Sequence, residues 1–230
     1  MDILVLLYFI LSLLLLIVLT PLMIFLSEKI NVYDGPKDQR RLTDKRVPIL
    51  GGVPIFFCFW VFCFITKIIS DYEILFLLSL IIFLIGLYDD CINIRPLVKF
   101  SLPFILCLIT VFFGFRIDLF ELTFLNYIFS FLWIYGLTNS LNFLDHMDGI
   151  STGVLVTIYF SLSLLCFLEN NSFGLIFIFL SGLNLGFLRY NFSPAKIYLG
   201  DNGSLFQGYI LSILIIKLNW NFENININIL

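Results

Sequence analysis

Two adjacent aspartates, Asp89 and Asp90, end an apolar run in the stretch IFLIGLYDDCINIRPLVKF (82–100). We expect this run to be a helix, and the dipole of a helix disfavours negative charge at its carboxyl end. Two acids at that position need a cation or a basic partner, which a divalent metal or Lys99 could supply. A solvated helix end is the alternative, but we favour a role in catalysis for Asp89, Asp90 and Lys99.

The stretch NSLNFLDHMDGIST (139–152) carries a polar side chain at every third position. On a helix or a near-helical turn this spacing lines up oxygen ligands and hydrogen-bond acceptors along one face. A polar connecting loop would not need so regular a step. The residues are Asn139, Asn142, Asp145 and Asp148.

A third stretch, YLGDNGS (198–204), places Asp201 among glycines just before an apolar run. At the start of a helix, backbone N–H groups can bind phosphate while a carboxylate binds a hard cation. A plain helix cap by Asp201 or Ser204 is the alternative at this position.

The stretch DGPKDQRRLTDKRVPILGG (34–52) is rich in basic residues and could attract an anion. From composition alone, a positively charged anchor for the first two helices is the favoured explanation. The residues in question are Arg40, Arg41, Lys45 and Arg46.

The elements that carry these stretches belong in a membrane. Of the 230 residues, 60% are hydrophobic and 13% are charged, which is more apolar surface than a soluble domain can bury. Apolar runs predict about eight transmembrane helices and a single all-α integral-membrane domain over residues 1–230, with a retained first span. The runs fall at about 3–26, 49–69, 71–88, 100–115, 122–138, 153–168, 173–188 and 204–218.

Eight crossings would place the four polar stretches on the same side of the membrane. The loops at about 27–48, 89–99, 139–152 and 189–203 hold ten of the 13 basic residues. The positive-inside rule makes that side cytoplasmic and both termini non-cytoplasmic. Acidic residues have no comparable bias, so their presence in the same loops indicates a shared site.

The available side chains restrict what that site can bind. His146 is the single histidine, and the five cysteines include no CxxC pair, so they are interpreted as small hydrophobic residues. A metal held by this chain must therefore be bound by oxygen, which favours Mg²⁺ or Mn²⁺. Nothing in the sequence points to nucleic acid.

The motifs DDCINIRPLVK, NSLNFLDHMDG and YLGDNGSLF, in this order, resemble those of the polyprenyl-phosphate N-acetylhexosamine-1-phosphate transferases. The resemblance covers about residues 30–215, and the basic first loop is similar to that of the branch using simple UDP-sugars. It implies a bacterial plasma-membrane enzyme with a cytoplasmic active site. That enzyme would transfer a sugar phosphate from a UDP-N-acetylhexosamine, expected to be UDP-N-acetylglucosamine, to polyprenyl phosphate, releasing UMP and starting a cell-envelope glycan.

The resemblance also implies roles for individual residues. Asp201 and Asn142 would be magnesium ligands, and Asp89 would orient or deprotonate the attacking lipid phosphate beside Asp90. The uridine would lie near three residues, Asp148, Asn191 and Tyr198. Asp145 and Lys99 complete the catalytic set, and the basic cluster of the first loop would bind substrate.

The sequence departs from the family at several places, of which two bear on activity. His146 replaces a glycine of the Asp-Gly-x-Asp-Gly run, and the family's last cytoplasmic loop and final helices are not present in residues 1–230. A truncated or inactive remnant is therefore an alternative. A transporter is another, although transporters place ionisable groups near the middle of spans. A membrane prenyltransferase would need a DDxxD-like repeat, but Asp90 is followed by Cys-Ile-Asn-Ile with no third acid. Homodimer formation is left open.

Overall fold

A computed structural model describes residues 2–34, 46–69, 72–92 and 94–218. This part of the chain forms eight α-helices and one short antiparallel pair of strands, β1 (Tyr33–Asp34) and β2 (Val47–Pro48). The prediction of eight helices in an all-α fold is confirmed. The helices are α1 (Asp2–Ile30), α2 (Gly52–Thr66), α3 (Tyr72–Ile92), α4 (Pro96–Phe112), α5 (Thr123–Leu144), α6 (Ile150–Leu168), α7 (Phe173–Asn191) and α8 (Gly200–Lys217).

Four of these helices are long and apolar enough to cross a membrane by themselves: Ile3–Ile30, Glu73–Ile92, Ile150–Leu168 and Phe173–Asn191. Helices α2 and α4 are apolar but shorter. Large hydrophobic side chains are exposed on the outer faces of the bundle, as expected for contact with lipid. The chain is therefore an all-α membrane protein, while eight crossings and their orientation stay a prediction.

Helix α8 lies at the centre of the bundle. Its residues from Asn202 to Leu214 are buried, and it packs against α2, α3 and α5. Helix α7 packs between α1 and α6. Because α8 is surrounded by protein rather than lipid, it can carry polar and small residues that hydropathy alone would not place in a membrane core.

A pair of buried amides joins α7 to α8 inside the bundle. Asn184 Nδ2 donates to Gln207 Oε1 at 2.7 Å, and Gln207 Nε2 donates back to Asn184 Oδ1 at 2.9 Å. Both side chains are fully buried. The pair is satisfied internally, so its role is to fix α8 against α7.

We expect Gln207→Leu to lower the free energy of unfolding by about 1–3 kcal/mol, because Asn184 would keep a buried amide without its partner. The double variant Asn184→Leu/Gln207→Leu should regain part of that loss, since it removes both polar groups. Denaturant titration of the detergent-solubilised protein measures both, with the exposed Ser161→Ala as control. Asn184→Leu is measured alone as well. If the double variant lost as much stability as the two single variants added together, pairing between the two amides would be contradicted.

Candidate active site

The polar site is built around the first turn of α8. Glycines let neighbouring elements approach this turn closely. A Cβ on Gly86 of α3 would lie 2.4 Å from the Asp201 carbonyl oxygen, and one on Gly52 of α2 would lie 2.2 Å from Asn202 Oδ1. Side chains of any larger size would push α2 and α3 away from α8, so the glycines determine where the site forms.

The two adjacent aspartates at the end of α3 point to different partners. Asp90 caps the amino end of α8: its Oδ1 accepts the Asp201 N–H at 2.9 Å, and its Oδ2 accepts the Asn202 N–H at 2.9 Å. The positive end of the α8 dipole thus offsets the charge that the α3 dipole disfavours. These two N–H groups are already bonded and not free for phosphate, contrary to the expectation from sequence, and neither Asp201 nor Ser204 provides the cap.

Asp89 instead faces α4. Its Oδ1 accepts the Ile94 N–H at 2.7 Å, and its Oδ2 lies 2.8 Å from Lys99 Nζ. Lys99 also lies 2.5 Å from Asp201 Oδ2. The predicted ion pairing of the aspartates with Lys99 is therefore present for Asp89 and extends to Asp201.

Asn142, near the end of α5, completes the contacts of Asp201. Its Nδ2 lies 2.5 Å from Asp201 Oδ1 and 2.9 Å from Ser204 Oγ. Asn139, one turn earlier, donates to the Tyr135 carbonyl of its own helix at 2.8 Å and takes no part in the site. The step of three along one face thus holds for the helical asparagines, while α5 ends before the two aspartates.

Asp145 follows α5 and lies half-buried beside the same turn of α8, accepting the Gly200 N–H. Burial raises the pKa of Asp145 well above the usual range for an aspartate, and the charges of Asp201 and Asp90 raise it further. Three acids from three parts of the chain therefore share one small volume. A cation would offset their mutual repulsion.

The donor set suits a magnesium ion that is bound by phosphate as well as by protein. In the described residues, no group of three or more His, Cys, Asp or Glu side chains forms a ready metal cage. Magnesium, however, is commonly held by one or two carboxylates together with substrate phosphates. Asp201 and Asp89 supply carboxylates, and Asn142 supplies an amide oxygen once its side-chain amide is rotated. The residues therefore fit a metal whose coordination is completed by a phosphate ligand.

The residues predicted to lie near uridine organise the segment between α7 and α8. Asp148 Oδ2 accepts the Ala195 N–H at 3.0 Å. Asn191 is buried, accepts from Thr152 Oγ1 at 2.8 Å and donates to the Ile197 carbonyl at 3.0 Å. The Tyr198 N–H donates to the Pro48 carbonyl at 2.8 Å. Asp148 and Asn191 thus fix this segment on α6 and α7, and contact with uridine stays a prediction.

The basic cluster of the first loop is described only at its end. Arg46 is exposed next to β2, whereas Arg40, Arg41 and Lys45 lie outside the described residues. His146 is exposed beside Asp145.

Asn202 is the residue of this site that the sequence did not single out. Its Nδ2 donates to Asp90 Oδ2 at 2.5 Å and to the Ile49 carbonyl at 3.1 Å. It therefore ties α3, α8 and the segment before α2 together. Its position inside GDNGS was the available signal, but a fully buried amide cannot be recognised from that motif alone.

Comparison with known proteins explains why these motifs meet at one point. The sequence model of the family described as Glycosyl transferase family 4 matches residues 72–219, well over half of the chain. The chain belongs to glycosyl transferase family 4. The matched region includes α3 to α8, so every acidic residue of the site lies within it.

Individual relatives have related names. A Bacillus subtilis protein named "Probable undecaprenyl-phosphate N-acetylglucosaminyl 1-phosphate transferase" is 33% identical over 221 residues, covering 90% of this chain and 61% of its own length. A Thermotoga maritima undecaprenyl-phosphate alpha-N-acetylglucosaminyl 1-phosphate transferase is 29% identical, covering 84% and 60%. A Prochlorococcus marinus phospho-N-acetylmuramoyl-pentapeptide-transferase is 31% identical, covering 81% and 59%. The chain thus spans about three fifths of the length of these relatives.

Proposed function

We propose that this glycosyl transferase family 4 member transfers N-acetylhexosamine-1-phosphate from a UDP-sugar, UDP-N-acetylglucosamine, to polyprenyl (undecaprenyl) phosphate at the cytoplasmic face of a bacterial plasma membrane. An oxygen of the lipid phosphate attacks the β-phosphorus of the UDP-sugar, the bond from that phosphorus to the bridging oxygen breaks, and UMP leaves. The product is a sugar on a lipid pyrophosphate, the start of a cell-envelope glycan.

The meeting of three separate motifs at the first turn of α8 is the observation that carries this proposal. Asp89 and Asp201 contact the same Lys99 ammonium, and Asn142 contacts Asp201. These residues come from α3, α4, α5 and α8, which pack together only in the folded bundle. A site that could bind phosphates, directly and through a metal, at one end of a lipid-facing helical bundle suits a reaction between a membrane lipid phosphate and a polar nucleotide.

Neutralisation of the substrates' negative charge is expected to contribute most to catalysis. A phosphate monoester has a second pKa near 6, so the attacking lipid phosphate has little proton left to lose at neutral pH. The larger barrier is the approach of two anions, and phosphoryl transfer is catalysed mainly by positioning and electrostatic stabilisation. Lys99 would bind phosphate oxygens, and Asp89 would orient the attacking lipid phosphate.

Magnesium, or manganese in its place, would be held by Asp201 and Asn142 and would supply positive charge to the phosphate oxygens. Asp145, beside the same turn, would complete the catalytic set. The basic residues Arg40, Arg41, Lys45 and Arg46 would attract the anionic substrates from the first loop.

We expect membranes or micelles containing this protein to exchange labelled UMP into UDP-N-acetylglucosamine when undecaprenyl phosphate and Mg²⁺ are supplied. This exchange reports the reverse and forward transfer steps together, and it needs no downstream enzyme. Label recovered in the UDP-sugar, separated by chromatography, measures it.

Omission of undecaprenyl phosphate is the control that separates transfer from nucleotide hydrolysis. If folded protein gives no exchange with any UDP-N-acetylhexosamine, residues 1–230 do not form an active transferase by themselves, which is the outcome expected for an inactive remnant. Uptake of a solute into vesicles without any exchange would instead favour a transporter.

A further inference from the structure

Lys99 occupies the position between the two carboxylates that most need a cation. Its Nζ lies 2.8 Å from Asp89 Oδ2 and 2.5 Å from Asp201 Oδ2, so one ammonium neutralises acids from α3 and α8. The distance to Asp89 is that of a charge-assisted hydrogen bond, and the distance to Asp201 is shorter still. In this arrangement the ammonium is directed at protein acids and not at a substrate anion.

Asp201 has both of its oxygens engaged inside the protein. Oδ1 accepts from Asn142 Nδ2 and Oδ2 accepts from Lys99 Nζ. A metal bound to Asp201 must share at least one of these oxygens, and a divalent cation so close to the ammonium would be strongly repelled. Metal binding and the observed position of Lys99 therefore exclude one another.

The side chain of Lys99 is able to leave. Its side chain is 26% exposed, and lysine carries its charge on a flexible four-carbon stem with three rotatable donors. Lys99 lies in the first turn of α4, so movement of the side chain requires no change in the helix.

We propose that Lys99 is a placeholder for the divalent cation: it bridges Asp89 and Asp201 in the metal-free protein and is released to the anionic substrate when these acids take up the metal. The inference rests on the cation named in the proposed function and adds an exchange between two cations to it. The protein thereby avoids unpaired buried acids before substrate arrives, and it frees a phosphate-binding ammonium only in the loaded site.

The exchange can be tested without turnover by measuring how fast an amine-reactive reagent labels Lys99. Protein in micelles is treated with the reagent with and without Mg²⁺, and labelling of each lysine is quantified by mass spectrometry. We expect Mg²⁺ to raise the labelling rate of Lys99 severalfold. Lys196, which is exposed in the segment between α7 and α8, serves as the internal control and should not change.

Two comparisons separate exchange from general screening by salt. KCl at matched ionic strength should leave the ratio of Lys99 to Lys196 labelling unchanged, because screening acts on all exposed lysines alike. Asp89→Asn removes one of the two carboxylates, so Lys99 in this variant should be labelled faster without metal and should respond less to Mg²⁺.

Binding of Mn²⁺, followed by electron paramagnetic resonance in the same micelles, decides between the ways in which the proposal can fail. Bound Mn²⁺ with unchanged or slower Lys99 labelling overturns the exchange and leaves the proposed transferase reaction standing. No bound Mn²⁺ at millimolar concentration also overturns the exchange. The UMP exchange assay tests the transferase reaction separately in both cases.

Discussion

Asp201→Asn is expected to lower kcat/KM for sugar-phosphate transfer roughly 100- to 1000-fold, the range found when one group that stabilises transition-state charge is removed. The substitution keeps the shape of the side chain but removes the charge that faces Lys99 and Asn142. A metal would lose its main anionic ligand, and Lys99 would keep Asp89 alone. Initial rates with varied UDP-N-acetylglucosamine measure the effect.

Asp118→Asn is the matched control for this variant. Asp118 lies between α4 and α5, at the ends of these helices that are opposite to Lys99 and Asn142. Its exposed carboxylate pairs with Arg116 at 3.0 Å. An exposed ion pair of this kind contributes little, so both turnover and stability should stay near those of the unaltered protein. If Asp201→Asn retained full turnover while folded, Asp201 would have no part in the reaction and the metal assignment would have to be abandoned.

The sequence was sufficient to predict the helices because each helix contacts lipid or the core and therefore appears in the sequence as an apolar run. The observed α3, α6 and α7 include the predicted runs at 71–88, 153–168 and 173–188 except at a terminal residue or two. The motifs could also be placed at helix ends, since charge is excluded from the runs themselves. Both inferences use local properties of the chain.

Hydropathy describes α8 less well for a physical reason. Its first half, GDNGSLFQGY, is rich in polar and small residues, yet nearly all of it is buried at the centre of the bundle. A helix surrounded by other helices needs close approach and hydrogen-bond partners, not a hydrophobic surface. The partners of Gln207 and Asn202 lie on distant segments, which no local pattern identifies.

The different partners of Asp89 and Asp90 also could not be predicted from the sequence. Adjacent residues on a helix do not face the same way, so two neighbouring acids should diverge. Which one faces α4 and which faces α8 depends on how α3 is rotated in the bundle. That rotation is set by close contacts such as Gly86 against the first turn of α8, which join residues more than a hundred positions apart.

Asp90 is expected to act through the position of α8, so its removal should cost stability as well as activity. Asp90→Ala leaves the Asp201 N–H and the Asn202 N–H without their acceptor, and it leaves Asn202 Nδ2 with one acceptor instead of two. Each buried donor left unpaired costs about 1–3 kcal/mol, so the loss in the free energy of unfolding should reach about 3 kcal/mol or more. Denaturant titration in micelles measures this loss alongside the rate of transfer.

Asp90→Asn distinguishes a role of Asp90 as a helix cap from a direct role in the reaction. The amide of this variant still offers one acceptor oxygen to the amino end of α8. For a capping residue, this variant should lie between the unaltered protein and Asp90→Ala in both stability and turnover, since asparagine is itself a good helix cap. If Asp90 instead touched the reacting phosphates or the metal, the charge would matter more than the acceptor. Asn and Ala would then abolish transfer alike, although their stabilities would still differ.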